Sequence, residues 1–330
     1  MAVGRKTALI LGISGQDGAY LARHLLDRDY DVHGASRDAQ MSSFGNLRRL
    51  GVYEQVSLHS VTLTDFRSVL QTLAFVEPDE VYNLAGQSSV GLSFEQPVET
   101  LTSIANGTLN LLETIRFLQR PVRFYNACST ECFGSTSEPA TEETPFRPRS
   151  PYAVAKAAAF WEVANYREAY GMYACSGILS NHESPLRPPR FVTQKIIHSA
   201  CRIASGLQDS LELGNIAIAR DWGWSPEYVD AMHRMLQQPE PRDYIVATGE
   251  TRQLEDFVRE AFAAVGLDWK RFVRTSPRLV RPADIPASRV CPDRAKRELG
   301  WTAETTMSGV VRKMVAAWIE EHPGSKCTLH

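Results

Sequence analysis

Short apolar runs alternate with amphipathic stretches through the first half of the chain. Residues 7–11 read Thr-Ala-Leu-Ile-Leu, a run of strand length that is typical of a strand buried on both faces. The next stretch places leucines at 21, 25 and 26, the spacing of one helix face. The same alternation predicts strands at 30–35, 56–59, 80–84, 121–127 and 173–179, with helices at 66–75, 97–118 and from 151 onward. Because crossovers between parallel strands are right-handed, this order predicts an α/β fold with a doubly wound parallel sheet.

The pattern changes after residue 180. Three prolines at 185, 188 and 189 indicate a loop. Beyond it the sequence predicts helices at 191–206, 254–265 and 307–321, a short strand at 211–213, and a late strand of the main sheet at 243–247. We therefore expect a first domain in residues 1–180, to which the chain returns at about 216–250, and a smaller α/β lobe formed mainly by residues 181–330. The tail 323–330 is expected to be disordered.

A glycine-rich turn joins the first predicted strand to the first predicted helix. It reads Gly12-Ile13-Ser14-Gly15-Gln16-Asp17-Gly18. Glycines at 12, 15 and 18 permit a tight turn, close approach of backbone N–H groups to a pyrophosphate, and close packing of helix on strand. The helix N-terminus then faces the phosphates. A glycine-rich turn that holds no ligand is the alternative, but the position after the first strand favours a Rossmann nucleotide site in domain 1–180.

The end of the second predicted strand bears on the choice of cofactor. An NAD site has an acidic residue near this point for the ribose 2′-hydroxyl, whereas arginine suits the 2′-phosphate of NADP. Arg37 follows the strand, with Ser36 as a neighbouring hydrogen-bonding group. Arg37 could instead be a solvated loop residue, and Asp38 beside it would repel a phosphate. The sequence favours NADP, with NAD as the less favoured cofactor.

Composition and charge exclude several classes of protein. The chain has 330 residues, 43% of them hydrophobic, and a formal charge of −2, so it has no basic excess for binding nucleic acid or a membrane surface. No apolar run approaches the about 18 residues of a membrane span, and Met1 to Lys6 lacks the features of a signal peptide. The six cysteines are too scattered for a disulfide framework or a zinc site. We expect no metal, reduced thiols and a cytoplasmic location.

A tyrosine and a lysine stand four residues apart in the stretch 150–156. Pro151 suits the first turn of a helix, and Ser150 before it is a good N-cap. Tyr152 and Lys156 then share one helix face, where the ammonium would lower the pKa of the phenol. Such a phenol can take a proton from a sugar hydroxyl. An amphipathic tyrosine beside a solvated lysine is the common alternative for this pair taken alone.

Several longer blocks resemble the extended short-chain dehydrogenase/reductases, and within them the GDP-mannose 4,6-dehydratase family. The resemblance is spread over residues 7–300. It is carried by the blocks GISGQDGAYLARHLL, VYNLAGQSSVGLSFEQP, FRPRSPYAVAK, ANYREAYGMYACSGILSNHESPLRP, FVTQKI, LGNIAIARDWG and DYIVATGE. The Asn-His-Glu-Ser-Pro and Arg-Asp-Trp-Gly blocks are specific to that branch, whereas the glycine turn is not.

The resemblance implies a dehydration without net redox change. The family oxidises C4 of the sugar with bound NADP⁺, eliminates water across C5 and C6, and returns the hydride to C6. On the matching positions, Tyr152 would be the base at O4, and Lys156 would lower its pKa and hold the nicotinamide ribose. Ser129 would hydrogen-bond O4, and Glu131 would take the C5 proton and assist departure of the C6 hydroxyl. Family members associate as homodimers or homotetramers.

The same matching implies two sets of binding residues. The cofactor would contact the glycine turn (Gly12, Ser14, Gly15, Gln16, Asp17, Gly18), Arg37, Leu63, Leu84, Ala85, Gln87, Tyr152 and Lys156. A GDP-sugar would contact Ser88, Asn181, Glu183, Val192, Lys195, Leu213, Gly214, Asn215, Arg220 and Arg281. The three cations of the second set suit a diphosphate. The lobe at 181–330 would then be mainly a nucleotide-sugar-binding lobe.

Three alternative functions stay open at this point. A dehydratase of a related GDP-sugar, such as a GDP-heptose, would use the same residues. A GDP-4-keto-6-deoxymannose reductase would use the tyrosine and lysine without an eliminating carboxylate, and Glu131 argues against it. A non-catalytic nucleotide sensor on this fold commonly lacks the tyrosine and lysine, and this chain keeps both.

Overall fold

A seven-stranded parallel sheet forms the centre of the computed structural model, which describes residues 4–330. The strands of the chain are β1 (Thr7–Leu11), β2 (Asp31–Ser36), β3 (Ser57–Ser60), β4 (Glu80–Asn83), β5 (Arg123–Ser129), β6 (Ala174–Leu179), β7 (Asn181–Glu183), β8 (Leu211–Leu213), β9 (Ala219–Trp224), β10 (Tyr244–Val246), β11 (Thr251–Gln253) and β12 (Val273–Thr275). The order in the main sheet is β10-β6-β5-β4-β1-β2-β3. Strand order therefore reverses between β1 and β4, which is where ligands bind in such sheets.

Eleven α-helices surround the sheets in the described residues. They are α1 (Gln16–Leu26), α2 (Gly45–Arg49), α3 (Phe66–Val76), α4 (Val90–Glu95), α5 (Pro97–Leu101), α6 (Gly107–Leu118), α7 (Pro151–Tyr170), α8 (Val192–Ala204), α9 (Ser225–Leu236), α10 (Leu254–Ala263) and α11 (Met307–Glu321). The predicted helix 97–118 is one run of helical backbone interrupted by a π-type turn at Thr102–Asn106, between α5 and α6. The predictions missed α2, α4 and α9 and four short strands, β7, β9, β11 and β12.

The main sheet is buried on both faces, as its apolar strands predict. Ala8 and Ile10 of β1 pack in one core with α1 and α9, whereas Leu9 and Leu11 pack in another with α3, α6 and α7. Alternate side chains of one strand point to opposite faces, so a strand with no polar face needs a helix layer on each side.

Side-chain hydrogen bonds cap α7 and α3, and the cap of α7 confirms a prediction. Ser150 accepts from the backbone N–H of Ala153 at 3.1 Å, and Pro151 occupies the first turn of α7. Asp65 accepts from the N–H of Arg67 at 3.0 Å at the start of α3. The cap at Ser150 fixes where α7 begins, and this places Tyr152 in its first turn.

The second half of the chain forms another apolar core and also returns to the main sheet. Helices α8, α10 and α11 pack with β8 around Phe257, Phe262 and Met314. Strand β10 pairs in parallel with β6, which confirms the late strand predicted at 243–247, and α9 packs in the same core as α1. A three-stranded sheet, β11-β9-β7, lies between these parts of the chain. The domain division at residue 180 stays a prediction.

The prediction of a disordered tail at 323–330 is wrong. Cys327 is only 3% exposed and packs in the core formed by α8, α10 and α11. The N–H of His330 donates to the carbonyl of Ala264 at 2.9 Å. A single buried side chain with a backbone bond gives no periodic signal, so the sequence pattern did not reveal this packing.

Within residues 4–330 the structure has no helix that is both long enough and apolar enough to cross a membrane. The prediction that Met1 to Lys6 is no signal peptide lies partly outside the described residues.

Candidate active site

One cleft at the carboxyl edge of the main sheet brings the predicted residues together. Its volume is about 1310 Å³. Every residue that the sequence predicted to be catalytic, cofactor-binding or substrate-binding lines it. The glycine turn after β1, the loop after β4 and the end of β5 form one side, and the segments after β7 and β8 form another. The position of these residues is thus compatible with their predicted roles, which remain predictions.

The glycine turn has the shape of a dinucleotide cradle. Gly12 has a φ of +84°, and a Cβ there would lie 2.9 Å from the backbone of Leu84. A Cβ at Gly18 would lie 2.4 Å from the Gly12 carbonyl oxygen, so α1 could not approach the turn. Gly15 precedes α1 and is exposed, and among the described residues no side chain caps this helix. The first N–H groups of α1 therefore suit the phosphates of a dinucleotide.

The side chains of Gln16 and Asp17 contact β7, the loop after it and the start of α9. Gln16 Nε2 donates to the carbonyl of His182 at 2.9 Å, and its Oε1 accepts from Ser184 Oγ at 2.8 Å. Asp17 Oδ1 accepts from Ser225 Oγ at 2.7 Å, and Oδ2 lies 2.9 Å from His182 Nε2. Because their side chains are hydrogen-bonded within the protein, these two residues would contact a cofactor through their backbone groups.

Asp17 and His182 form a partly buried ion pair. Burial raises the pKa of the Asp17 carboxyl, but attraction to His182 and hydrogen bonds from His182 and Ser225 outweigh burial and lower the pKa overall. Burial lowers the pKa of His182, and Asp17 outweighs it, so that pKa is raised. Both shifts favour the charged forms.

The loop after β2 leaves Arg37 free to reach a ligand. Arg37 is exposed and lines the cleft. The Asp38 carboxylate accepts from the N–H groups of Gln40 and Met41, each at 3.0 Å. Asp38 thus has partners in its own loop, and the repulsion expected from it is reduced.

The end of β5 places a hydroxyl and a carboxylate side by side. Ser129 Oγ accepts from the N–H of Glu131 at 3.3 Å, so the hydroxyl proton of Ser129 is available to another acceptor. Glu131 lies in the 3-10 turn that follows the strand, with its side chain 13% exposed. Both residues line the cleft beside Tyr152.

The predicted effect of Lys156 on the Tyr152 phenol is wrong for this structure. Burial raises the pKa of Tyr152, and the nearby Ser129 hydroxyl opposes that shift without reversing it. Lys156 Nζ donates to the carbonyl of Ala127 at 2.7 Å, and burial lowers its own pKa. Desolvation therefore outweighs the attraction that the spacing of the two residues suggested.

Glu131 and Arg220 form an ion pair across the cleft. Arg220 Nε lies 3.2 Å from Glu131 Oε1. Its Nη1 donates to the carbonyls of Ala219 at 2.9 Å and Ile285 at 2.7 Å, and the residue is 4% exposed. Arg220 was predicted to bind a diphosphate, but in the structure most of its donors hold the carboxylate and two backbone carbonyls.

The carboxylate of Glu183 has partners within the protein. It is 1% exposed, accepts from Thr193 Oγ1 at 2.6 Å and pairs with Arg187 Nε at 3.1 Å. Gln87 is likewise occupied, because its side chain bonds to the backbone of Ser89 and to Thr100 Oγ1. Both residues line the cleft and help to hold its segments in place, and their predicted contact with a ligand stays a prediction.

Several segments of the cleft wall carry the remaining predicted substrate residues. Lys195 Nζ donates to the carbonyl of Glu212 at 2.6 Å, and Arg281 Nη1 lies 3.7 Å from Asp284 Oδ1. A Cβ at Gly214 would lie 2.4 Å from the Leu279 carbonyl oxygen, so glycine lets β8 approach that backbone. The remaining predicted substrate residues on the cleft wall are Ser88, Asn181, Val192, Leu213 and Asn215.

Sequence reasoning missed two cleft residues that contact the predicted ones, His182 and Arg187. It also missed Ser225, which is fully buried and donates to Asp17. Arg187 Nη1 donates to the carbonyl of His182 at 2.6 Å, and its guanidinium lies 4.0 Å from the ring of Phe191. His182 belongs to the Asn-His-Glu-Ser-Pro block, and this block was the available signal. Among residues 4–330 no three metal-ligating side chains lie close enough to hold an ion.

Known proteins are similar to this chain in both sequence and fold. A model of the family described as GDP-mannose 4,6 dehydratase matches residues 9–314. The chain is 46% identical over 323 residues to GDP-mannose 4,6 dehydratase 2 of Arabidopsis thaliana, covering 94% of this chain and 86% of that protein.

Two solved structures are similar throughout. One is UDP-glucose 4-epimerase of Thermus thermophilus in complex with NAD, with a TM-score of 0.82, 26% identity, and 94% of this chain and 98% of that chain covered. The other is RMD from Pseudomonas aeruginosa complexed with NADPH, with a TM-score of 0.79, 24% identity, and 96% and 99% covered. They confirm the predicted fold class, a doubly wound parallel sheet with a smaller lobe.

Proposed function

The chain belongs to the GDP-mannose 4,6-dehydratase family, and on that premise we propose that it converts GDP-mannose to GDP-4-keto-6-deoxymannose and water with NADP as cofactor. The observation that carries the proposal is the placement of Glu131 beside Ser129 and Tyr152 in the cleft that also contains the glycine turn. A carboxylate at this point suits an elimination, which requires removal of a proton next to a ketone. A reductase has no need of one.

The cofactor, when bound, supplies a hydride acceptor that later returns the hydride. Its phosphates would lie at the N–H groups that begin α1, and Lys156 would hold its ribose. Tyr152 would take the proton of the sugar O4, and the free hydroxyl proton of Ser129 would be donated to the same oxygen. Because burial raises the pKa of the Tyr152 phenol, the phenolate that takes the O4 proton would need stabilisation from the Ser129 hydroxyl and from the Lys156 ammonium.

Glu131 would take the proton from C5 and assist departure of the C6 hydroxyl. Its contact with Arg220 fixes the carboxylate at the cleft wall, and its backbone N–H is held by Ser129. The substrate nucleotide would lie along the segments after β7 and β8, where Lys195, together with Arg281 from the segment after β12, would supply cations for a diphosphate.

The direct test is incubation of the purified protein with GDP-mannose. We expect a product lighter by one water in mass spectrometry, with no net consumption of added NADP. GDP-heptose serves as the comparison substrate. A product of unchanged mass, or the absence of any product with both sugars, would contradict the proposal.

We propose that the cofactor is NADP rather than NAD because Arg37 is exposed at the cleft. Replacing Arg37 by alanine is expected to weaken NADP binding about tenfold, since one charge-assisted contact to the 2′-phosphate is lost. NAD binding should not change. Calorimetric titration of both cofactors measures this, with Arg23→Ala as the matched control on the exposed face of α1. Equal affinity of the unmodified protein for NAD and NADP would contradict the prediction.

The cations after β7 are proposed to bind the substrate diphosphate. GDP should therefore raise the melting temperature of the protein through linkage, and Lys195→Ala should remove much of that shift. Differential scanning fluorimetry with GDP and with guanosine separates the diphosphate from the base, and Lys313→Ala on α11 is the control. The prediction fails if guanosine and GDP raise the melting temperature equally, in the unmodified protein and in Lys195→Ala alike.

We propose a homodimer or homotetramer in the cytoplasm. Helices α5, α6 and α7 expose Val98, Phe117, Val154 and Trp161, the last with 61% of its surface accessible, and a second copy could cover this apolar face. All six cysteines are free thiols, which suits a reducing compartment. Light scattering of the purified protein gives the native mass, and a monomer would contradict the proposed oligomer.

A further inference from the structure

His182 has two hydrogen-bonding partners, and both are acceptors. Its Nδ1 lies 2.7 Å from the carbonyl oxygen of Ser180, and its Nε2 lies 2.9 Å from Asp17 Oδ2. A carbonyl oxygen and an ionised carboxylate can only accept, so each ring nitrogen must carry a proton. A neutral imidazole has one N–H. The geometry therefore requires His182 to be an imidazolium.

The partner of this imidazolium lies at a site suited to anions. Asp17 is in the first turn of α1, two residues after Gly15, and it lines the cleft. The N-terminus of a helix attracts phosphate through its free N–H groups and its dipole. A carboxylate in the same turn would cancel much of this attraction unless a cation neutralised it. His182 is that cation, and its ring also stacks on Tyr228 with centroids 4.6 Å apart.

We propose that His182 is a positioning residue for cofactor affinity, serving as the counter-ion that lets the α1 turn accept a dinucleotide pyrophosphate despite Asp17. The inference rests on the dinucleotide binding in the proposed function. It predicts that the charge of His182, more than its shape, sets the affinity. The hydrogen bonds of Gln16 to His182 and Ser184 hold the two segments together independently of this charge.

Replacing His182 by glutamine tests the charge. His182→Gln keeps a side-chain donor but leaves Asp17 uncompensated, and we expect NADP and NADPH to bind roughly tenfold more weakly or worse. The double variant Asp17→Asn/His182→Gln removes both charges and should recover most of the affinity. Titration calorimetry measures binding, and circular dichroism checks that each variant is folded. Unchanged affinity in His182→Gln, or no recovery in the double variant, would overturn the proposal.

A pH series gives a second readout that a purely structural role would not change. The charged groups around His182 are Asp17 on α1, Glu183 on β7, Arg187 in the loop after β7, and Asp221 on β9, with the phenol of Tyr228 on α9. Because the pKa of His182 is raised above the ordinary value for histidine, its proton is lost only as pH rises through that raised value. The affinity of the unmodified protein for NADP should fall as the pH increases through the pKa of His182.

The double variant keeps Lys156, whose pKa is lowered by burial, so any fall due to Lys156 appears in both proteins. The difference between the two pH profiles isolates His182, and identical profiles would overturn the inference. Failure of the dehydration assay with intact NADP binding would instead count against the proposed reaction alone.

Discussion

Replacing Glu131 by glutamine is expected to lower turnover of GDP-mannose by roughly 10²–10⁴-fold. Glutamine has nearly the same shape and leaves the backbone bond from Glu131 N–H to Ser129 Oγ in place, so the fold and cofactor binding should persist. What is lost is the group that can take the C5 proton. Solvent deuterium incorporation at C5, followed by mass spectrometry of the sugar, measures that step directly.

The contrast with Tyr152→Phe identifies the step. That variant should block oxidation at C4, and therefore it should show neither deuterium incorporation nor transient reduction of the cofactor. Glu131→Gln should still show transient reduction, seen by absorbance, without deuterium at C5. Glu138→Gln, an exposed glutamate in the loop after the 3-10 turn, is the matched control and should behave as the unmodified protein. Dehydration by Glu131→Gln at the unmodified rate would remove Glu131 from the reaction.

The sequence could predict the elements whose causes are local. The run at 7–11 has no polar face, so only a strand covered on both sides can bury it, and β1 is such a strand. Ser150 and Pro151 determine where α7 begins, because the cap and the missing N–H act within one turn. The glycines at 12 and 18 indicate close backbone approach, and the structure shows where a side chain would collide.

Side-chain partners far apart in sequence could not be predicted in this way. Glu131 and Arg220 are 89 residues apart, and Asp17 and His182 are 165 apart, so no periodicity links them. Glu131, Arg220 and Asp17 were each assigned to a ligand, yet each also has a protein partner. The predicted lowering of the Tyr152 pKa was wrong for a related reason. The spacing of Tyr152 and Lys156 indicates their attraction, but the burial that raises the pKa depends on the whole fold.

The π-type turn at Thr102–Asn106 gives a further example. A helical hydrophobic pattern continues across 97–118, and the sequence therefore predicts one helix. The Gly86 backbone approaches Ile104 within this turn, where a Cβ on Gly86 would lie 2.8 Å from the Ile104 side chain. Contact with a loop from another part of the chain thus coincides with the irregular turn, and such a contact is absent from local periodicity.

Arg220→Ala is expected to destabilise the protein by about 3 kcal/mol, because it removes one partner of a buried ion pair. The guanidinium contacts Glu131 and the carbonyls of Ala219 and Ile285. The alanine would leave the Glu131 carboxylate and the Ile285 carbonyl without this donor, whereas the Ala219 carbonyl still accepts from the Ser288 N–H. Turnover should fall as well, since Glu131 loses the contact that positions it. Denaturant unfolding monitored by fluorescence gives the free energy of unfolding.

Two further variants separate the contribution of the ion pair to the free energy of unfolding from that of lost packing. Arg252 on β11 lies opposite Arg220 in the same small sheet but is exposed, and its contact with Glu250 spans 3.8 Å. Arg252→Ala should therefore change the free energy of unfolding by less than about 1 kcal/mol. The double variant Arg220→Ala/Glu131→Gln should be more stable than Arg220→Ala alone, because the unpaired charge is gone. If Arg220→Ala costs no more than Arg252→Ala, the ion pair is not what holds Glu131 at the cleft wall.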